Sequence, residues 1–324
     1  MINLIDANPS SLSFYPEAPV STKKALLNQI LHQNLSIGNK MLKKIKSKSV
    51  QYFSKGRITN LLSESIKYPL REFKIKTQLA KTYGHSDMFS SVTIENISLC
   101  NRKCWYCPNS NQEMYDQRPK QEIDLKIYSS IIDQLSEIPF QGELNFSHYG
   151  EPLIDKNLET KVKKAREKLP KATITIFTNG DYLTLERFEN LIISGVNQFR
   201  VTNHNSDERF SKNLSKLNKF ISENPDLKKY VNYNKMVSYH NRGGLIDLKE
   251  NQKRKLYKCQ KIHELHINVV GDVILCANDY LGQYVFGNLH QQSLLDIWNN
   301  EEFKSIREKH GQGIYDLDMC KKCL

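Results

Sequence analysis

Between residues 91 and 239 the sequence alternates short apolar stretches with longer stretches of helical periodicity. The predicted strands are 91–97, 142–147, 172–178, 197–202 and 230–239. The predicted helices are 123–138, 157–168, 184–195 and 206–224, the last with Ser206 as its N-cap. Strands that alternate with helices form a parallel sheet with right-handed crossovers. The sequence therefore predicts an α/β fold, a partial (β/α)-barrel in which five strands, and no clear sixth, are evident.

The alternation stops after residue 245. Residues 266–278 predict a β-hairpin turned at Gly271-Asp272, and residues 293–310 predict one helix capped by Ser293. A module this small buries only a modest core, so a bound metal would help to hold it together. We therefore divide the chain into three parts, which are an N-terminal extension (1–90), a barrel core (91–245) and a C-terminal module (246–324).

The net charge of +12 is concentrated in the N-terminal extension. Residues 1–90 contain 14 Lys and Arg but only 5 Asp and Glu, and we expect them to be largely helical or irregular. Residues 41–48 suggest a short basic amphipathic helix, which we expect to pack on the core. Nucleic-acid binding is not expected, because no aromatic side chains that could stack on bases lie within Lys43–Lys48.

The cellular compartment is predicted from what the chain lacks. It contains no apolar run long enough for a transmembrane helix, and its N-terminus does not follow a basic stretch with an apolar one as a secretory signal does. We therefore expect a cytoplasmic protein without a membrane span. Its seven cysteines would then stay reduced, which favours metal ligation or catalysis over disulfides.

Three cysteines with the spacing C-x3-C-x2-C directly follow the first predicted strand, and these are Cys100, Cys104 and Cys107. Thiolates are the natural ligands of iron–sulfur clusters, and a cluster that only carries electrons takes four of them. A cluster held by three keeps one iron open to a substrate or cofactor. A zinc site is the alternative, but zinc needs a fourth Cys or His ligand, and none lies in this loop.

The same loop, with Tyr106 as the aromatic residue before the third cysteine, resembles the signature of the radical S-adenosylmethionine (SAM) superfamily. The stretch H-Y-G-E-P (148–152) is similar to that family's G-G-E-P motif, with Tyr149 in place of the first glycine. The resemblance implies that the open iron binds SAM, with residues 150–152 receiving its amino group. The SAM contacts that it implies are Tyr106, Gly150, Glu151, Pro152, Thr178, Asn179, Gly180 and Asn203.

The remaining four cysteines have the spacing C-x16-C-x43-C-x2-C, and these are Cys259, Cys276, Cys320 and Cys323. Four thiolates complete either an iron–sulfur cluster or a zinc site. The arrangement resembles the SPASM/Twitch module of the superfamily, which implies one auxiliary [4Fe–4S] cluster. The layout as a whole is similar to that of radical SAM dehydrogenases that act on amino-cyclitol alcohols.

The resemblance implies that SAM is cleaved to a 5′-deoxyadenosyl radical, which abstracts a hydrogen from the substrate. Radical SAM epimerases usually return a hydrogen from a free thiol, but here all seven cysteines are assigned to clusters. This favours a radical SAM oxidoreductase that removes two electrons from a hydroxylated small molecule, such as a sugar or cyclitol. The alternatives are radical modification of a peptide or protein (crosslink, thioether or oxidised side chain) and sugar epimerisation with a hydrogen donor other than cysteine.

The partners implied are a small-molecule or peptide substrate and an external electron donor such as flavodoxin or ferredoxin. Arg242, within N-R-G-G (241–244), is a candidate for contact with the substrate, because a guanidinium can pair with a carboxylate or phosphate. The alternative for this segment is a plain turn between the core and the C-terminal module.

The two cysteine sets predict a cluster count that can be measured. The anaerobically reconstituted protein should carry two [4Fe–4S] clusters, and a variant with Cys100, Cys104 and Cys107 all replaced by Ala should keep one. Iron and sulfide analysis with Mössbauer spectroscopy measures both. Finding one cluster and one zinc ion in the unmodified protein would contradict the assignment of the C-terminal set.

Overall fold

The computed structural model of the chain describes residues 64–204, 210–234, 238–249 and 258–323. The predicted basic helix at 41–48 and the predicted cap Ser206 lie outside the described residues. In the described part, no helix combines the length and the apolar character needed to cross a membrane.

Eight strands form one sheet in the order β5-β4-β3-β2-β1-β6-β7-β8. They are β1 Ser91–Ile94, β2 Glu143–Phe146, β3 Thr173–Thr178, β4 Gln198–Thr202, β5 Val231–Asn234, β6 Glu264–Ile267, β7 Asp272–Ile274 and β8 Val285–Asn288. Strands β1 to β6 pair in parallel, whereas β7 and β8 are antiparallel. The predicted α/β fold is confirmed, and each of the five predicted strands contributes one strand of the sheet.

Strand β6 is a sixth parallel strand, which the sequence pattern does not predict. It forms the first half of the predicted hairpin, pairing with β7 around a turn in which Gly271 has φ +85°. Its other edge pairs in parallel with β1, so that His266 lies opposite Thr93. A four-residue strand whose partner lies far earlier in the chain has no local signal for that pairing. The sheet therefore continues from the core into the C-terminal region, and the division at residues 245 and 246 stays a prediction.

The helices cover the sheet and differ from prediction at two places. They are α1 Glu64–Tyr83, α2 Gln112–Asp116, α3 Leu125–Glu137, α4 Leu158–Lys168, α5 Leu185–Ser194, α6 Lys212–Glu223, α7 Leu294–Trp298, α8 Glu301–Gln312 and α9 Asp318–Cys323. The N-cap of α6 is Ser211, whose side chain accepts the Leu214 N–H. The single helix predicted at 293–310 is wrong, because Asn300 caps a second helix two residues after α7 ends.

The two faces of the parallel strands differ in polarity. The residues on one face belong to the buried apolar core, and they are Val92, Ile94, Leu144, Phe146, Ile174, Ile176, Phe199, Val201, Leu265 and Ile267. The alternate residues form a polar row across neighbouring strands, in which His266, Thr93, Asn145 and Thr175 stand in register. Because successive side chains point to opposite faces of a sheet, this row lines the inside of the partial barrel. We call this inner space the lumen.

A buried ion pair fastens the end of β1 to the helical layer. The Lys161 Nζ atom lies 2.6 Å from Asp155 Oδ2, and the two side chains are 1% and 0% exposed. Asn96, directly after β1, donates to the same carboxylate at 2.8 Å. These bonds hold the segment that leads from β1 into the first cysteine loop.

Removing the ammonium from this network should destabilise the fold. Lys161→Met leaves the buried Asp155 carboxylate without its cation, so we expect the free energy of unfolding to fall by about 3–5 kcal/mol. Anaerobic urea denaturation of the cluster-loaded protein measures the change. Lys163→Met, at an exposed position of the same helix, is the matched control and should change it by less than about 0.5 kcal/mol. Equal stability of the two variants would contradict a stabilising role for the pair.

Candidate active site

The first cysteine loop is held against the end of β2 by a glycine that has no room for a side chain. A Cβ atom on Gly150 would lie 1.7 Å from the carbonyl oxygen of Ile97. The next residue, Glu151, donates its backbone N–H to Leu99 O at 2.8 Å. Because Cys100 follows Leu99 directly, this contact positions the start of the loop.

The thiols of this loop are suited to a metal cluster. The three cysteines are partly buried, and none forms a disulfide. Burial and the nearby Glu151, Cys107 and Cys104 raise the pKa of the Cys100 thiol to about 12. A cationic cluster would offset this cost by stabilising the thiolates. The residues thus fit the group that the sequence implies, with three protein ligands and one open iron.

Glu151, a predicted SAM contact, is buried and bonded to the protein itself. Its carboxylate accepts Thr178 Oγ1–H at 2.6 Å, the Asn179 N–H at 2.8 Å and the Leu153 N–H at 3.2 Å. Burial raises the pKa of Glu151 to about 7 despite these bonds. The carboxylate therefore ties the end of β2 to the end of β3. Its contact with the SAM amino group stays a prediction, as do those of Gly150, Pro152, Thr178 and Asn179.

A polar network that the sequence does not reveal links the cysteine loop to the turn after β3. Arg102 donates to both oxygens of Asp181 at 2.6 Å, and Asn101 donates to Asp181 Oδ2 at 2.8 Å. The Asn179 side chain in turn donates to Asn101 at 2.9 Å. The turn needs Gly180, whose φ is +76°. One feature of the sequence could have indicated a role for Asp181, namely its position directly after T-N-G (178–180), at the carboxyl end of a strand.

Aromatic side chains surround Tyr106 on the other side of the loop. Its hydroxyl is hydrogen-bonded to His204 Nδ1, and its ring centroid lies 4.6 Å from that of Tyr239. Burial and the nearby Arg102 lower the pKa of His204 to about 4, so the imidazole is neutral at pH 7. The predicted SAM contact Asn203 lies beside His204, directly after β4. This side of the site is therefore neutral and aromatic.

The second cysteine set encloses a cavity of about 210 Å³, with all four cysteines in its lining. In the described residues, no three Cys, His, Asp or Glu side chains are arranged to hold a single metal ion. A zinc ion would gather four thiolates around one atom, whereas a cubane cluster binds each thiolate to a different iron and therefore needs the thiolates farther apart, around a space of its own. The residues therefore fit a [4Fe–4S] cluster better than the zinc alternative.

The turn that carries Arg242 packs on α9, the helix of Cys320 and Cys323. The Asn241 side chain donates to Lys322 O, and Gly243 lies against Met319. Arg242 itself has φ +52°, an uncommon backbone conformation outside glycine. The turn is therefore part of the second cluster's framework, whichever role its side chain has.

The guanidinium of Arg242 lies close to both cysteine sets. Its charge opposes the rise in pKa that burial causes at Cys107 and at Cys323. It also lies 5.6 Å from the centre of the Tyr149 ring. Its Nε atom is buried and has no hydrogen-bond partner in the described part of the chain.

Two buried charges stand in the lumen. Glu95, directly after β1, is 0% exposed. Its Oε1 and Oε2 atoms accept hydrogen bonds from Arg118 Nη2 at 2.7 and 2.5 Å. Although burial disfavours its charged form, His148 and Arg118 hold the pKa of Glu95 at about 2. The Arg118 guanidinium lies 4.7 Å from the centre of the Tyr280 ring. The lumen is thus a charged, aromatic space rather than an apolar core.

Several polar atoms of the lumen are buried without a hydrogen-bond partner among the described residues. They are Asn145 Oδ1, His148 Nδ1 and Nε2, Tyr149 Oη, Arg242 Nε and His266 Nδ1. Buried polar groups in native proteins are nearly always hydrogen-bonded, so a concentration of unpaired ones indicates a place for a polar ligand. From this set the sequence indicated only Arg242 as a substrate contact, because the H-Y-G-E-P stretch assigns no role to His148 or Tyr149 and the other residues belong to no motif.

The contact at Gly150 predicts a selective loss of the first cluster. Gly150→Ala would push the loop of Cys100 away from β2, so we expect the reconstituted variant to lose the SAM-binding cluster and to keep the auxiliary one. Iron analysis and electron paramagnetic resonance of the reduced protein measure this. Gly311→Ala is the matched control, because its Cβ would meet nothing closer than 3.7 Å. Full cluster content in Gly150→Ala would show that the loop tolerates displacement.

Known proteins resemble this chain over both of its cysteine-bearing regions. The radical SAM superfamily model matches residues 97–232, and the SPASM model, an iron-sulfur cluster-binding domain, matches residues 259–324. The S-adenosyl-L-methionine-dependent 2-deoxy-scyllo-inosamine dehydrogenase of Niallia circulans is 33% identical over 238 residues, which are 73% of this chain and 93% of that protein.

Solved structures agree with these matches. The crystal structure of BtrN in complex with AdoMet and 2-DOIA has a TM-score of 0.64 at 34% identity and covers 73% of this chain and 93% of that one. BtrN in an open conformation has a TM-score of 0.56 at 31% identity, with 73% and 92% covered. The resemblance found in the sequence is therefore confirmed, and the chain belongs to the radical SAM superfamily, as an oxidoreductase that uses S-adenosylmethionine and two [4Fe–4S] clusters.

Proposed function

We propose that this enzyme oxidises one secondary alcohol of a cyclitol or related sugar to a ketone. The observation that carries the proposal is the set of unpaired polar atoms in the lumen. Hydroxyl groups both donate and accept hydrogen bonds, so a polyhydroxylated ring can satisfy imidazole, phenol, amide and guanidinium groups together. The Niallia circulans relative is named for a dehydrogenation of a cyclitol, 2-deoxy-scyllo-inosamine, which supports the same substrate class here.

The chain's own residues bind and orient this substrate. Burial raises the pKa of Tyr149, and the nearby thiols of Cys107 and Cys276 raise it further. Because one of these cysteines belongs to each set, the Tyr149 phenol lies near both cluster sites. Arg242 has its free Nε in the same region. We assign to Arg242 a hydrogen bond with a hydroxyl group of the substrate. When bound, SAM and the two clusters supply the hydrogen-atom abstraction and the acceptor for the remaining electron.

The cysteine count supports oxidation over epimerisation. All seven cysteines belong to the two sets, so a thiol that could return a hydrogen atom is lacking. The enclosed, polar character of the lumen and the cyclitol-oxidising relative favour a small molecule over a peptide substrate.

We further propose that the external electron donor docks at the first cysteine loop. Trp105, beside Cys104, is 52% exposed, and Lys103 is exposed next to it. An exposed aromatic residue with a basic neighbour suits an acidic redox partner such as flavodoxin or ferredoxin.

A direct assay tests the proposed oxidation. With SAM, dithionite and 2-deoxy-scyllo-inosamine, the reconstituted enzyme should form ketone and 5′-deoxyadenosine in equal amounts, measured by mass spectrometry. In D₂O the reacting carbon should gain no deuterium. The matched control, with Cys320 and Cys323 replaced by Ala, should still cleave SAM and form little ketone.

Other outcomes separate the alternatives. Stoichiometric solvent deuterium at the reacting carbon, without ketone, would identify an epimerase. If a panel of cyclitols and sugars yields neither product, the small-molecule proposal is wrong.

A further inference from the structure

This inference rests on the proposed function and concerns the proton of the oxidised alcohol. Conversion of a secondary alcohol to a ketone removes one hydrogen atom and one electron from the carbinol carbon, and one proton from its hydroxyl. SAM, when bound, would take up the hydrogen atom in its adenosyl product, and the auxiliary cluster would supply the acceptor for the electron. The proton needs a base in the lumen, and no sequence motif identifies one.

His148 has the features of such a base. It is a non-glycine residue with φ +125°, a conformation that costs free energy and is found preferentially at functional sites. Its side chain is fully buried, at 0% exposed, and neither ring nitrogen has a hydrogen-bond partner in the described part of the chain. Its Nε2 atom, buried and without a partner among the described residues, is placed for a ligand rather than for packing.

A carboxylate stands behind this imidazole. His148 Nδ1 lies 3.5 Å from Glu95 Oε1, and Glu95 stays ionised because Arg118 also binds it. An ionised carboxylate beside an imidazole stabilises the ring when it gains a proton. This leaves Nε2 as the atom that faces a substrate hydroxyl.

The other titratable groups around His148 come from four neighbouring segments. They are Glu95 after β1, Tyr149 beside it, His266 on β6, and Asp279 and Tyr280 after β7, with Arg118 reached through Glu95. Their charges are mixed in sign, and among the described residues Glu95 is the one within salt-bridge distance of His148.

A way out for the proton lies on β6. The His266 ring centroid is 6.4 Å from that of His148, and its Nδ1 atom is buried and unpaired. On its other side, His266 Nε2 lies 3.1 Å from Glu264 Oε2, which is 2.7 Å from Lys261 Nζ. The side chains of Glu264 and Lys261 are 23% and 44% exposed, so this chain of groups ends at the surface.

We infer that His148, oriented by Glu95, accepts the proton released by the substrate hydroxyl, and that His266 and Glu264 carry it to the surface. His148 would thus complete the oxidation after the hydrogen atom has left.

The variant His148→Gln tests this with 2-deoxy-scyllo-inosamine deuterated at its carbinol carbons. We expect the variant to keep both clusters and to transfer deuterium into 5′-deoxyadenosine as the unmodified enzyme does. Ketone formation should fall about 100-fold, the usual contribution of a general base. His85→Gln, at an exposed position, is the matched control and should leave every quantity unchanged.

The outcomes are separable. Ketone formation by His148→Gln at the unmodified rate would overturn the inference while leaving the proposed function intact. If His148→Gln fails to fold, His266→Gln decides, since it keeps the His148–Glu95 pair. His266→Gln should slow ketone formation and enlarge its D₂O solvent isotope effect, and unchanged kinetics there would overturn the inference. If the unmodified enzyme forms no ketone from any carbinol tested, the proposed function fails and the inference with it.

Discussion

The site depends on the parallel pairing of β1 with β2 on one edge and with β6 on the other. Parallel strands bring their carboxyl ends to one rim, so the residues that follow β1 and β2 meet there. Glu95 and the first cysteine loop follow β1, while His148 and Glu151 follow β2. Gly150 makes the approach close, because only a residue without a Cβ can lie against Ile97. Strand β6 then leads, through its hairpin with β7, to the second cysteine set.

Charge within the lumen is arranged between the two cluster sites. The buried Glu95 carboxylate is balanced by Arg118. The Arg242 guanidinium, whose Nε has no hydrogen-bond partner among the described residues, lies near cysteines of both sets. Burial of unpaired polar atoms costs free energy, which a bound polar ligand would recover. A lumen of this kind suits a substrate with several hydroxyl groups. It also contains the buried imidazole of His148, whose Nδ1 lies 3.5 Å from Glu95 Oε1.

Patterns that are local in the chain were predictable. The five strands and the apolar face of α3 follow from hydrophobic periodicity. The grouping of the seven cysteines into two sets follows from their spacing in the sequence. Features that join distant segments were not. The parallel pairing of β6 with β1 and the Arg102–Asp181 bridge depend on how the chain closes into a barrel. The break between α7 and α8 was missed because the C-cap of the first helix, Asn299, and the N-cap of the second, Asn300, lie next to each other within one helical pattern. The Asn300 side chain accepts the backbone N–H groups of Glu302 and Phe303 at the start of the second helix.

By itself the sequence determined which residues can carry the chemistry, because three cysteines in one loop and four elsewhere form two sets of potential metal ligands and leave no spare thiol. The tertiary structure decided where that chemistry meets a substrate. Only the closed sheet brings Glu95, His148 and His266 together in one lumen, since they belong to three different strands or the segments that follow them, and the H-Y-G-E-P stretch that contains His148 assigns it no role. The physical reason is that ligand spacing within a loop is a local property, whereas burial and pairing of charges arise from contacts between residues far apart in the chain.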